Sequence, residues 1–143
     1  MLNWSTKTIF PLRIGEEFDK EVVKAFYTGM CKDISKERKR MGGDFVVAQA
    51  VPSREFRDHI RQHLDSDLIF VVLHMSKEDQ SDRIKQRHSG HGSGAGKFVD
   101  MLAKLHDVYD CGGEDEPNTI TITVTKDMSR DDVVKRILES LPK

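Results

Sequence analysis

The sequence predicts an α/β fold of three layers, α/β/α, around a short parallel sheet. Three observations predict it. Short apolar runs alternate along the chain with longer stretches whose apolar residues recur at helical spacing. The runs themselves are almost unbroken, the pattern of strands covered on both faces. Gly pairs, a Pro and Ser residues fall between the two kinds of segment, where turns and helix caps belong. Strands that alternate with helices are joined by right-handed crossovers. At 143 residues the simplest organisation is a single domain over 1–143, a size that buries roughly 68% of its unfolded surface.

Residues 16–40 read as a long helix, with Phe18, Val22, Val23, Phe26, Met30 and Ile34 at spacings of three and four. Gly42 and Gly43 end it. Residues 45–51, Phe-Val-Val-Ala-Gln-Ala-Val, read as a buried strand that Pro52 terminates. Ser53 is placed to cap a helix reaching about Leu64. Residues 68–73 read as a second buried strand. Ser76 caps the helix after it, with Glu78 and Asp79 in the first turn, where carboxylates favour the helix dipole. That helix runs to about His88. A further helix is expected over 97–109, a strand over 119–124 and a last helix over 129–141. Ser129-x-x-Asp132 there has the spacing of a capping box. In open parallel sheets ligands bind at the carboxyl ends of the strands. The loops after Val51, Leu73 and Val124 are therefore the expected site region.

Composition narrows the function classes. Charged residues make up 33% and the net charge is −1, a balance that argues against a protein that coats nucleic acid. No apolar run approaches the roughly 18–20 residues that span a bilayer. The first residues carry no apolar signal core with a small-residue cleavage site, so the expected compartment is cytoplasmic. Cys31 and Cys111 are expected as reduced thiols.

Residues 90–97, Gly-His-Gly-Ser-Gly-Ala-Gly-Lys, imitate a phosphate-binding loop, Gly-x-x-x-x-Gly-Lys-Ser/Thr, but fail its register. With Gly96 and Lys97 as the terminal pair, the first glycine falls on His91. Phe98 stands where a Mg²⁺-binding hydroxyl is required. The stretch also follows a helix rather than a strand. Residues 89–96 are better read as a lid-like hinge between two helices. Residues 1–14 contain no glycine, so no such loop is found there either.

Residues 46–61, Val-Val-Ala-Gln-Ala-Val-Pro-Ser-Arg-Glu-Phe-Arg-Asp-His-Ile-Arg, resemble without gaps the stretch Val-Val-Ala-Cys-Ser-Ala-Leu-Lys-Arg-x-Tyr-Arg-Asp-x-Leu-Arg of the gluconokinases. Arg54, Arg57, Asp58 and Arg61 match. Residues 83–91 look like that family's lid entry, Arg-Leu-x-x-Arg-x-Gly-His, with one residue inserted. Gly113-Glu114-Asp115-Glu116 is similar to its Gly-x-Asp-Glu. The series covers residues 15–141 in order. The chain thus resembles the phosphate-loop small-molecule kinases, a superfamily that includes shikimate and adenylate kinases.

The resemblance implies a nucleoside-monophosphate-kinase-like fold missing its usual first two strands, with ATP and Mg²⁺ as cofactors and a small hydroxylated metabolite as acceptor. It implies that Arg83 and Arg87 are lid arginines closing over nucleotide and phosphates. Their i, i+4 spacing puts both on one helix face. It implies that Arg54, Arg57 and Asp58 face the acceptor, against the alternative that Arg57 and Asp58 form a structural ion pair. Gln49, Ala50 and Ser53 replace the Cys, Ser and Lys of the family's substrate-side loop, which removes a cation suited to a sugar-acid carboxylate. The family's acidic segment after the second strand, which supplies the base, has no counterpart.

In this superfamily the first strand lies between the third and fourth, here 45–51 and 68–73. Without it two apolar strands lack their shared neighbour. Residues 6–10 could substitute, the two could pair directly, or a second copy could fill the place by swapping or oligomerising. The expectation is self-association or marginal stability. Elsewhere, His59 and His63 have a zinc-compatible spacing but lack a metalloprotease's glutamate, and His88 with His91 is a second metal candidate. Against both stands the plain reading as exposed helix histidines. Residues 36–40 read as helix-end cations suited to the dipole, with an anion patch or import signal as the alternative. Asp107, Asp110, Glu114, Asp115 and Glu116 read as a solvated acidic loop. Two functions follow: a phosphotransferase of the gluconokinase and shikimate kinase type, with little activity in the chain alone, or a non-catalytic kinase-fold module that binds or oligomerises.

Overall fold

The structure, a computed structural model, describes residues 19–64, 67–88 and 109–143, and of Arg87 and His88 the backbone alone. The expected substitute strand at 6–10, the lid-like stretch at 89–96 and the helix at 97–109, save its last residue, lie outside the described residues. Within them the fold is mixed α/β. The order is α1 (Lys20–Met41), α2 (Arg54–His63), β1 (Phe70–His74), α3 (Lys77–His88), β2 (Thr119–Thr123) and α4 (Arg130–Ser140). The chain divides into two compact units, one of residues 1–51 and 55–66, the other of 52–54 and 67–143.

The first unit is built on α1 and α2. Asp19 caps α1, accepting the N–H groups of Glu21 and Val22 at 2.9 and 3.3 Å. Arg38, Lys39 and Arg40 fill its last turn, where cations suit the dipole. Gly42, at φ 68°, ends it by donating its N–H to the Arg38 carbonyl, a conformation that favours glycine. Helix α2 buries Phe56 and Ile60, and the buried stripe of α1 is Val23, Tyr27, Met30, Cys31 and Ile34. It is rotated from the expected one: Val22 is 48% exposed and Tyr27 is completely buried. Tyr27 goes inside because it can satisfy its hydroxyl there, donating to the Ala50 carbonyl at 2.5 Å, while its ring tilts against Phe56 at 5.6 Å.

Residues 45–51 are not a strand. Their side chains alternate between half-buried (Phe45, Val47, Gln49, Val51) and exposed (Val46, Ala48, Ala50), and Val46 is 88% exposed. A strand covered on both faces would bury the whole run. β-propensity is expressed only when a neighbour supplies a ladder and a packing face. Here the Ala50 carbonyl is taken by a tyrosine instead.

The second unit carries the sheet, two parallel strands with Phe70 opposite Thr119, Val72 opposite Thr121 and His74 opposite Thr123. The ladder is extended at its ends by Phe70 N–H to Asn118 O at 2.9 Å and Val124 N–H to His74 O at 2.7 Å. Parallel pairing with α3 in the connection matches the crossover expected from the strand–helix alternation. An isolated two-stranded sheet is marginal, and helix α4 packs on β2. Ser129 and Asp132 form the expected capping box, at 3.1 and 2.9 Å. Val72, Ile122 and Val124 are buried. Val133, Ile137 and Leu141 along α4 are half-buried, whereas Val134 and Leu138 are exposed.

Candidate functional site

The carboxyl ends of β1 and β2 are held together by α3. Ser76 Oγ accepts the Asp79 N–H at 3.1 Å, and Asp79 in turn accepts the N–H of Lys126, just beyond β2, at 3.0 Å. The Lys126 ammonium reaches Asp82 at 3.4 Å. This edge therefore pairs its cation with carboxylates of the same unit. Arg83, half-buried, follows Asp82 on α3. Arg87 lies one turn further along the same helix, at the i+4 position from Arg83.

The loop leading into β2 is tied to residues 52–54 by polar contacts. The Asp110 N–H donates to the Pro52 carbonyl at 2.9 Å, and its carboxylate accepts the Arg54 N–H at 2.7 Å. Arg54 Nη1 donates to Asp115 at 2.8 Å. That guanidinium, bonded to the carboxylate, holds the Asp115 carboxyl below its usual range. Glu116 is buried. The reading of this segment as solvated holds for Asp110, Glu114 and Asp115, which are exposed, and is corrected for Glu116, which is buried; Asp110 and Asp115 nevertheless have partners, which composition alone does not reveal. Two of the motifs that carry the resemblance, Arg54 and Gly113 to Glu116, meet here.

The other expected acceptor-side residues lie in the first unit. Arg57 is 1% exposed, a buried guanidinium that is itself partnered. Asp58 pairs with Arg61 one turn on, at 2.6 Å. His59 Nε2 lies 2.8 Å from Thr28 Oγ1, His63 Nδ1 lies 2.7 Å from the His59 carbonyl, and the two rings are 4.4 Å apart. Burial, then the neighbouring His63, pushes the His59 pKa down. Among the described residues no three His, Cys, Asp or Glu side chains converge as metal ligands.

One juxtaposition has no sequence signal, because its members stand far apart in the chain. Cys111 Sγ lies 2.9 Å from His74 Nδ1, at the carboxyl end of β1. The Cys111 carbonyl is held by Thr121 Oγ1 at 2.5 Å. Gly112 beside it has φ 76°, and a Cβ there would meet Glu116 Oε2 at 2.9 Å. A thiol and an imidazole in contact can exchange a proton. Cys31, by contrast, is enclosed, and burial pushes its thiol up to about 11. Both cysteines are free.

Comparison with protein-family models, curated proteins and solved structures gives no match to this chain.

Proposed function

We propose that the chain is a non-catalytic module on the three-layer architecture of the phosphate-loop small-molecule kinases, one that binds or self-associates rather than transferring phosphate. The observation that carries this reading is the use to which the acceptor-side residues are put. Arg57 is buried, the Arg54 guanidinium is paired with Asp115, and Asp58 is paired with Arg61. Lys126 at the strand ends is paired with Asp82 in the same way. Phosphoryl transfer depends on cations aimed at the phosphates, and each such electrostatic element is typically worth about 10²–10³-fold in rate. The sequence also offers no Gly-x-x-x-x-Gly-Lys-Ser/Thr in register. The parallel strands and the order of elements support the kinase architecture.

Arg83 and Arg87, at i and i+4 along α3, favour the second reading, an ATP- and Mg²⁺-dependent phosphotransferase acting on a small hydroxylated metabolite. Calorimetric titration of Mg-ATP, with ADP release measured across a panel of polyhydroxy acids and alcohols, separates the two. The non-catalytic reading expects no turnover. Turnover abolished by Arg87→Ala would overturn it. Light scattering tests self-association: the oligomeric species should grow with concentration, and a monomer melting cooperatively at high temperature would remove that part of the proposal.

A further inference from the structure

Helix α1 carries a second surface that the kinase resemblance does not use. Lys32, Lys36 and Lys39 stand at i, i+4 and i+7, the spacing that aligns side chains along one helix face. In the structure all three line a single open cavity of about 390 Å³ in the first unit. Thr28 and Ser35 add hydroxyls to its wall, and His63 closes it from α2. Among the described residues no carboxylate lines it. Two acids stand beside these lysines on the helix: Asp33, exposed and in no ion pair among the described residues, and Glu37, which is paired with Arg40 at 2.7 Å. Among the described residues none of the three lysines is in an ion pair. Each is exposed.

Three ammonium groups along one wall repel one another, and an anion bridging them relieves that repulsion. Lysine is a point charge with three rotatable donors, so it suits phosphate oxygens, whereas the planar fork of arginine suits bidentate pairing. The hydroxyls supply neutral donors for the remaining oxygens. The volume lies in the range of small-ligand sites. We infer that this cavity, lined by Lys32, Lys36, Lys39, Thr28, Ser35 and His63, binds an oligophosphate anion of a small molecule. The inference is independent of the kinase reading, because the cavity involves neither the strand ends nor Arg83 and Arg87.

The test is titration of tripolyphosphate, without metal, into the full chain at about 50 mM salt, where surface charge is only partly screened. The expected result is saturable binding at one site per chain. The double variant Lys32→Gln/Lys36→Gln should weaken it at least tenfold, while Lys32→Arg/Lys36→Arg retains most of it. Lys77→Gln/Lys135→Gln, on other helices, should leave it unchanged. All the substituted side chains are exposed, so the variants keep the fold, which circular dichroism checks. Non-saturating binding, or equal loss in the two Gln variants, would mean general attraction to a charged surface and overturn the inference, as would wild-type affinity in Lys32→Gln/Lys36→Gln. ATP binding tighter than tripolyphosphate identifies a nucleotide as the source of the phosphates, and equal binding identifies the phosphate chain alone. ATP binding lost with the lysines but kept in Arg87→Ala belongs to this cavity. The reverse pattern belongs to the lid arginines and would overturn the assignment here.

Discussion

Tyr27 is the residue on which the first unit turns, and its hydroxyl and ring can be tested separately. The side chain is fully buried, and its hydroxyl donates to the Ala50 carbonyl at 2.5 Å. Tyr27→Phe removes that donor and keeps the ring. A typical intramolecular hydrogen bond contributes about 1 kcal/mol net. Ala50 is exposed, so its carbonyl recovers a water partner and the loss stays near that figure. Tyr27→Ala removes the ring as well, with its contacts to Phe26 at 5.4 Å and Phe56 at 5.6 Å. Deleting a buried aromatic costs about 3–5 kcal/mol. Urea denaturation of the two variants should therefore give losses in a ratio of roughly one to four. Hydrogen exchange should show faster exchange over 45–51 in Tyr27→Phe, because the bond that fastens this segment is gone. A Tyr27→Phe variant as stable as the parent, with unchanged exchange over 45–51, would refute the account of why that run packs as it does.

Gly112→Ala should destabilise the chain by about 1–3 kcal/mol, since φ 76° strains any other residue and the new Cβ meets Glu116 and Thr119; thermal melting checks it, and a neutral result removes the strain argument. Under native conditions iodoacetamide should modify Cys111 well before Cys31, which is 1% exposed, as mass spectrometry of the two tryptic peptides would show; comparable rates would mean that Cys31 is not enclosed. The Glu55 carboxyl, bonded first by Lys20 and then by Lys24, titrates at about 2, below its ordinary 4.5. Its contribution to stability is complete above the ordinary value and is lost as pH falls towards 2. NMR titration should find the low midpoint in the parent and a return towards 4.5 in Lys20→Met/Lys24→Met, and an unmoved midpoint would refute the pairing.

Local signals carried the parts of the fold that depend on neighbours in sequence. The capping box of Ser129 and Asp132, the Gly42 terminus of α1, the Ser76 start of α3 and the two strands of the sheet follow from side chains acting within a few residues. The spacing of Arg83 and Arg87 likewise fixes their common helix face. What sequence could not decide is where each surface goes. An apolar run such as 45–51 is compatible with a strand, but becomes one only if another strand offers it hydrogen bonds. In this chain Tyr27 takes the Ala50 carbonyl instead and Val46 stays in solvent. Arg57 and Asp58 read as acceptor contacts or as a structural ion pair, because a charged group has the same chemistry in either role. The carboxylates that Arg54 meets, Asp110 through its backbone N–H and Asp115 through its guanidinium, lie 56 and 61 residues away. Cys111 and His74, 37 residues apart, meet for the same reason. Periodicity and capping are encoded locally. Burial and charge pairing arise between distant segments, and only the tertiary structure decides them.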